Sequence, residues 1–318
     1  SEVFEPGVRS IGKRNDNYFK AQKAHLDSFE YFGIADETAR VNALLSGDVQ
    51  LAGAVKPQSV RLIESQPGFV AQRNDAGNYT DLNIRLDMDP GDKAGFIEGV
   101  KYLMNRDLMA KSALRGMATI ANDQPVSPAS PFHNADLKPR EFDPERAKSL
   151  FEKSGLLGKT VPLVTTEAAP SAIELSMLLQ QAGVEIGMNF ELQRVPADGY
   201  WSNYWLKAPF HVGHINPRPT PDTLFSLLYA SDAPWNESGF RNEKFDSMLV
   251  EARGELDFAR RKEIYDEMQV MVSNEAGTAI PLWMSIIDGV SPRVKGLRPN
   301  PLGNQMGFAM AEYVWLAD

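Results

Sequence analysis

Apolar residues recur along the chain at two spacings, every two residues in some stretches and about every 3.6 residues in others, and these stretches alternate. Residues 26–34 alternate, which is typical of a half-buried strand. Residues 36–46 have helical spacing, and Asp36 is placed to cap that helix. A short strand is predicted over 48–54 and a short helix over 57–65. This succession predicts an α/β fold with a partly parallel sheet.

The rest of the chain continues the alternation between the two periods. Further strands are predicted at 69–86, 161–165, 190–195, 279–290 and 308–316. Further helices are predicted at 96–105, from 105 or 107 to 116, at 144–154, at 171–187, and around Phe245–Ala252 and Ile264–Val272. Residues 119–142 are rich in proline and irregular, so they are predicted to form a long loop that is either functional or a domain boundary.

One segment, residues 200–236, differs from the rest in composition. It holds three of the five Trp, three of the nine Tyr, two of the four His and five of the 21 Pro. This composition is unlike that of an ordinary core helix or strand. Aromatic rings with polar tips suit a surface that binds a ligand, and prolines hold a loop rigid. A proline-rich surface loop pinned down by aromatic residues explains the local sequence equally well.

Composition excludes several classes of function. The net charge of −9 and the pI near 5.1 argue against nucleic acid as a partner, because phosphate neutralisation needs a basic surface. The absence of cysteine excludes disulfides, thiolate metal sites and a cysteine nucleophile. No apolar run approaches the roughly 20 residues that span a bilayer. The chain begins at Ser1 without a signal-peptide pattern, as a mature secreted protein or a fragment would.

Motifs for catalysis or metal binding are weak. His211 and His214 have a spacing that occurs in metal sites, but no third ligand accompanies them, and on a strand they would point to opposite faces. We therefore expect no metal and no cofactor. Two alternatives stay open at this point: a secreted hydrolase with Asp222 and Glu237 as acid and base, and a receptor-like module with a broad apolar patch.

Five stretches, taken together and in order, resemble the extracellular solute-binding proteins of ABC importers, family 5, which take up oligopeptides, dipeptides and nickel chelates. They are 5–20 (EPGVRSIGKRNDNYFK), 37–52 (ETARVNALLSGDVQLA), 96–118 (FIEGVKYLMNRDLMAKSALRGMA), 142–155 (FDPERAKSLFEKSG) and 240–283, which begins FRNEKFDSMLVEARG. The resemblance runs from one end of the chain to the other, and no single stretch decides it.

The resemblance implies a class II periplasmic binding protein-like α/β fold with two lobes. Members of this class are longer, so the chain is expected to be a C-terminal fragment with a partial lobe I (1–83 and 285–318) and an intact lobe III (84–284). Hinge strands are expected near 83–86 and 283–286. The implied function is not enzymatic: a periplasmic or membrane-tethered monomer captures a small solute and delivers it to the permease, touching the membrane only through that partner.

The resemblance also predicts a departure in ligand chemistry. Peptide-binding relatives read Gly-Trp-x-x-Asp at the position of Gly213, and that Asp pairs with the α-amine of the ligand. Here Pro217 stands at the Asp position, His214 replaces the Trp, and Arg218 follows. A proline cannot neutralise an ammonium, so an anionic or hydroxyl-rich solute (an opine, a sugar conjugate or an oligosaccharide) is favoured, with a di- or oligopeptide as the alternative. A local ion pair between Arg218 and Asp222 would also account for the arginine.

The predicted ligand contacts come from the segment at 200–236 and from the strand beside the first hinge. They are Tyr200, Trp201, Trp205, His211, His214, Asn216, Arg218, Asp222, Asn83 and Arg85.

Overall fold

The computed structural model describes residues 3–20 and 23–317. The chain divides into two compact units, one comprising residues up to Ala76 together with those from Ser285 onward, and the other Gly77–Met284. It passes between the units within two strands, Val70–Ile84 and Leu282–Val290. The lobe assignment, with boundaries at 83/84 and 284/285, stays a prediction. Residues 1, 2, 21, 22 and 318 of the predicted lobe I lie outside the described residues.

The first unit begins with a three-stranded antiparallel sheet. Its strands are β1 (Val3–Glu5), β2 (Arg9–Lys13) and β3 (Ser28–Phe32). Helix α1 (Glu37–Ser46) follows as predicted, because the Asp36 carboxylate accepts a hydrogen bond from the Ala39 N–H at 2.8 Å. Then come β4 (Leu51–Ala52), a 3₁₀ turn at Pro57–Ser59 and α2 (Val60–Glu64).

The second unit contains a mixed sheet with helices on both faces. Its strands are the C-terminal part of β5 (Val70–Ile84), β6 (Ala118–Ile120), β7 (Thr160–Thr166), β8 (Asn189–Val195), β9 (Phe210–Ile215), β10 (Thr278–Ala279) and the start of β11 (Leu282–Val290). The helices are α3 (Phe96–Leu103), α4 (Arg106–Ser112), α5 (Pro144–Ser154), α6 (Ala172–Ile186), α7 (Tyr200–Asn203), α8 (Pro221–Leu228), α9 (Glu243–Gly254) and α10 (Phe258–Glu275). Strands β7, β8 and β9 are parallel, and β5 pairs antiparallel with β9.

The end of β11 returns to the first unit, where it pairs with β4, and β12 (Val294–Lys295) then pairs with β13 (Trp315–Leu316). The predicted strand over 308–316 is wrong except at β13. Phe308 adopts a φ of 64°, which no extended strand allows, and a 3₁₀ turn follows at Met310–Glu312. The predicted strand 279–290 is divided at Pro281, which has no N–H to donate to a ladder, so β10 ends before it and β11 begins after it.

Helix ends follow the local chemistry that the sequence indicates. Helix α5 begins where the Asp143 side chain accepts from the Arg146 N–H at 2.9 Å, and it ends at Gly155 with a φ of 72°. Helix α4 is capped by Asn105 but ends at Ser112 instead of continuing to the predicted Gly116, because Arg115 turns left-handed at a φ of 50°. No helix in the described part of the chain is long and apolar enough to cross a membrane.

The two faces of the β5–β9 pair carry separate cores. Leu82 and Val212 point into one core, with α3, α5 and α6, whereas Tyr79 and Ile215 point into the other, with α8, α9 and α10. Side chains alternate along a strand, so residues 81, 83, 211 and 213 share the face of Tyr79 and Ile215. The prediction that 200–236 is unlike core structure is therefore wrong for β9, which is a buried strand within the sheet.

A buried ion-pair cluster fixes the proline-rich stretch predicted as a loop at 119–142. The Asp123 carboxylate is fully buried and accepts from Arg106 at 2.9 Å and from Arg140 at 2.8 Å. Its other oxygen accepts from the Ile280 N–H at 2.9 Å. Nearby, the buried ammonium of Lys101 donates to the carbonyls of Ser273 and Ala276 at the end of α10. The irregular stretch is thus held by charge-assisted hydrogen bonds rather than by regular secondary structure.

Candidate aromatic binding site

Four aromatic side chains from two segments of the second unit form a surface that we call the aromatic patch: Trp201, Tyr204, Trp205 and Trp235. Trp205 lies edge-to-face against Trp201 at 5.6 Å and against Trp235 at 5.4 Å between ring centroids. Trp201 is 40% exposed, and Tyr204 and Trp235 are each 36% exposed. Large rings that stay this open while packing on one another form a platform on which an organic solute can stack.

Helix α7 presents this patch, and Tyr200 anchors the helix. The Tyr200 side chain is fully buried, and its hydroxyl donates to the Val212 carbonyl of β9 at 2.5 Å. Its ring is stacked with Tyr204 at 6.1 Å. Burial raises the pKa of the Tyr200 hydroxyl. Of the predicted contacts, Tyr200 is therefore placed beneath the patch, whereas Trp201 and Trp205 belong to it.

Arg218 extends the patch with a positive charge. Its guanidinium lies 5.6 Å from the centroid of the Trp235 ring, a cation–π distance. One guanidinium nitrogen donates to the Asn216 carbonyl at 2.9 Å and to the Pro217 carbonyl at 3.2 Å. Among the described residues no carboxylate lies within ion-pair distance of Arg218. Asp222 pairs instead with Arg253 at 2.6 Å, so the ion pair of Arg218 with Asp222 is wrong.

The two histidines of β9 point to opposite faces of the sheet. His211 is fully buried, and its Nδ1 donates to the Ala208 carbonyl at 2.8 Å. His214 is half-buried and contacts the Thr80 hydroxyl at 3.2 Å on the other face. Burial lowers the pKa of each imidazole to about 4, so both are neutral at neutral pH. Within residues 3–20 and 23–317, no three His, Cys, Asp or Glu side chains come together as a metal site.

The two contacts predicted on and after β5 are a partly buried arginine with partners of its own and a fully buried asparagine. The Arg85 guanidinium bonds both oxygens of Asp87, at 2.9 and 2.7 Å, and the Leu206 carbonyl at 2.7 Å. This pairing lowers the pKa of the Asp87 carboxyl. Asn83 is fully buried, and neither polar atom of its amide makes a hydrogen bond of good geometry. Of the ten predicted contacts, the structure brings Trp201, Trp205 and Arg218 together with Trp235.

A buried pair of carboxyl groups beneath the patch was not predicted from the sequence. Asp81 on β5 and Glu237, which follows Trp235, both reach over Gly213, where a Cβ atom would clash with each of them. Glu237 accepts a hydrogen bond from the indole N–H of Trp205. Burial raises the pKa of Asp81 to about 7 and raises that of Glu237 well above its usual value. Strand β5 carries many other polar residues, among them Asn78, Thr80 and Asn83, so no signal in the sequence sets Asp81 apart.

Known proteins share both the sequence pattern and the fold of this chain. The model of the bacterial extracellular solute-binding proteins, family 5 Middle, matches residues 2–237, well over half of the chain. The chain belongs to family 5 of the bacterial extracellular solute-binding proteins. It is 22% identical over 316 residues to the dipeptide-binding protein of Escherichia coli (strain K12), covering 95% of this chain and 58% of that protein. The resemblance inferred from the five stretches is therefore confirmed.

Solved structures give the same fold. A periplasmic binding protein DppA from Helicobacter pylori, in complex with the peptide STSA, has a TM-score of 0.85 at 19% identity, over 99% of this chain and 62% of that one. The AgaA protein of A.tumefacien R10, in complex with agropinic acid, has a TM-score of 0.80 at 20% identity, over 99% and 66%. These likenesses confirm the α/β periplasmic binding protein-like fold class.

The same matches bear on the alternative functions. The family consists of solute-binding proteins, so the expectation that the chain is not an enzyme is confirmed. The hydrolase alternative required Asp222 and Glu237 as a pair, but Asp222 is bonded to Arg253 and Glu237 to Trp205. The chain spans a little more than half the length of the dipeptide-binding relative that it matches.

Proposed function

We propose that the whole protein is the substrate-binding component of an ABC importer, which captures a small solute between two lobes and delivers it to the membrane permease. The observation that carries this proposal is the family match over residues 2–237 together with an open aromatic patch in the same chain. A periplasmic location and a monomeric state belong to the same proposal. The location is supported by the likeness to the Helicobacter pylori protein, an ABC transporter-associated periplasmic binding protein.

The solute binds on the aromatic patch in this proposal. Trp201 and Trp235 supply open ring faces, and Trp205 is held between them. Asn216 is exposed beside Arg218 and can bond a hydroxyl or carboxylate group. Tyr200, His211, Asn83 and Arg85 are buried or bonded within the unit, so they act as supports for the site. Asp222 is paired with Arg253, and His214 contacts Thr80 on the other face of the sheet.

An anionic or hydroxyl-rich solute, such as an opine, a sugar conjugate or an oligosaccharide, fits Arg218. The guanidinium has no carboxylate partner among the described residues, lies over an indole ring, and keeps donors free for a carboxylate. The likeness to a protein solved with agropinic acid agrees with this class of solute. A di- or oligopeptide is the second candidate, supported by the dipeptide-binding relative, and its carboxyl terminus would engage the same arginine.

Isothermal titration of the full-length protein against opines, sugar acids, neutral oligosaccharides and dipeptides tests the proposal. One anionic class should bind, and Arg218→Gln should weaken it by about 1.5–3 kcal/mol, the range for a hydrogen bond to a charged group. Arg253→Gln, which removes an arginine already paired with Asp222, is the matched control and should leave the affinity unchanged. The solute should also be recovered unaltered.

Two results would contradict this proposal. Equal affinities of the wild type and Arg218→Gln for the solute would show that Arg218 does not bind it. If no class of solute releases or absorbs heat on titration, the patch does not bind these solutes.

A further inference from the structure

Asp81 and Glu237, which we call the acid pair, are two buried carboxyl groups that reach the same space beneath the patch. The Asp81 carboxylate is completely buried, and Glu237 is 4% exposed. Both reach the space above Gly213, and the Asn83 amide nitrogen lies 2.8 Å from that same point. Neither oxygen of Asp81 has a hydrogen-bond partner of good geometry. No lysine or arginine in the described part of the chain lies within ion-pair distance of either carboxyl group.

The surrounding titratable groups do not supply a counter-charge. Tyr79 on β5, Tyr200 on α7 and Tyr229 after α8 all have a raised pKa, so they stay neutral. His211 on β9 is neutral because burial lowers its pKa. Arg85, the cation at the end of β5, is bonded to Asp87. Two adjacent buried carboxylates cannot both stay ionised without a cation, and carboxyl dyads of this kind hold one proton between them.

The pair is connected directly to the binding surface. Trp205 donates its indole N–H to Glu237, and its ring contacts Trp201 on one side and Trp235 on the other. Trp235 in turn lies under Arg218. The orientation of Trp205 therefore depends on where the Glu237 carboxyl group lies, and that position depends on whether Asp81 attracts or repels it.

We propose that Asp81 and Glu237 form a carboxyl pair sharing one proton, which positions Trp205 and, through it, the aromatic patch that receives the solute. Its effect on solute binding rests on the function proposed above, whereas its effect on Trp205 does not. With the proton in place, an O–H···O⁻ bond holds Glu237 against Asp81 and keeps one oxygen for the indole. Loss of the proton leaves two repelling charges, which displaces Glu237 and releases Trp205.

The indole N–H signals of the 15N-labelled full-length protein, followed from about pH 5 to about pH 9, test the pair. A Trp205→Phe variant assigns the signal of Trp205. In the wild type this signal should titrate, whereas in Asp81→Asn and Glu237→Gln the titration should be lost, because the single carboxyl group left in each variant has no second carboxylate to repel it and the indole keeps its hydrogen-bond acceptor. The control is Asp198→Asn, which removes an exposed carboxyl group just before α7. In this variant the Trp205 signal should titrate as it does in the wild type.

The effect of the acid pair on solute binding is tested in a separate experiment. Affinity of any solute found by calorimetry should fall several-fold as the Trp205 signal titrates in the wild type, and it should be independent of pH in Asp81→Asn. If no solute binds, the proposed function fails while the indole titration still decides the pair. A Trp205 signal that is constant in the wild type, or that titrates equally in both pair variants, overturns the inference. Should both variants fail to fold, the wild-type profile alone decides it.

Discussion

Gly213 is a single residue whose lack of a side chain leaves space for the buried carboxyl groups beneath the candidate site. A Cβ atom at this position would clash with Glu237 and Asp81 and would lie 2.8 Å from the Asn83 amide nitrogen. The resemblance predicted a glycine here as part of a ligand motif. The structure gives a packing reason for it, since the absence of a side chain leaves room for two carboxyl groups. The reason could not be seen in the sequence, because Glu237 is far from Asp81 along the chain.

Substitution of Gly213 by Ala should destabilise the protein by about 1–3 kcal/mol, the usual cost of overpacking a filled interior. Denaturant unfolding measures the change. Gly254→Ala is the matched control, because a Cβ atom there meets nothing within 4 Å, and helix propensity should make that variant neutral or slightly more stable. Equal losses in the two variants would contradict the packing of the acid pair over Gly213.

The acid pair also predicts how stability depends on pH. The folded pKa of Asp81 is raised from 3.8 to about 7, so the folded state binds more protons than the unfolded state between these values. Stability from this group is therefore present at low pH and lost as the pH rises through about 7. His211 and His214 have the opposite sign, since each pKa is lowered from 6.5 to about 4 and stability rises with pH between those values.

Comparison of the wild type with Asp81→Asn cancels the histidine contributions, which are common to both, and leaves the contribution of the acid pair. Urea unfolding from about pH 5 to about pH 8 should show the wild type losing stability relative to the variant as the pH rises. A difference that stays constant with pH, or that moves in favour of the wild type, would show that Asp81 is ionised throughout.

At the scale of elements, helix caps could be read directly from the sequence, whereas β9 could not. Asp143 and Gly155 bound α5 as predicted, because capping depends only on residues a few positions apart. Strand β9 carries two histidines between flanking prolines, a composition that favours a loop locally. It is a strand because β5 and β7 pair with it on either side, and those partners are distant in sequence. Tertiary pairing overrode the local signal.

The buried cluster around Asp123 gives a prediction for the irregular stretch after β6. Replacement of Asp123 by Ala leaves Arg106 and Arg140 without a carboxylate in the interior, which should cost about 3–5 kcal/mol. Glu98→Gln breaks the exposed ion pair with Arg146 and should cost about 0–1 kcal/mol. Thermal or denaturant unfolding separates the two, and similar losses would show that the Asp123 cluster does not stabilise the fold.

At the scale of the whole molecule, family membership and fold class could be predicted from five short stretches in order, none of which is decisive alone. The positions of the proposed ligand contacts in the fold were harder to predict. Trp201, Trp205 and Arg218 belong to one cluster at the surface, while Tyr200 and Asn83 are fully buried and Arg85 is bonded to Asp87. Composition does not separate these placements. The burial of each side chain separates them, and burial depends on which strands and helices pack against each other in the folded protein.

In the function proposed above, the solute lies on the aromatic patch beside Arg218. The most direct measurement is a crystal structure of the full-length protein with the solute that calorimetry identifies. We expect solute density stacked on Trp201 or Trp235, with an anionic or hydroxyl group bonded to the Arg218 guanidinium. Solute density elsewhere in the protein, with the patch and Arg218 in contact with solvent alone, would show that the patch is not the binding site.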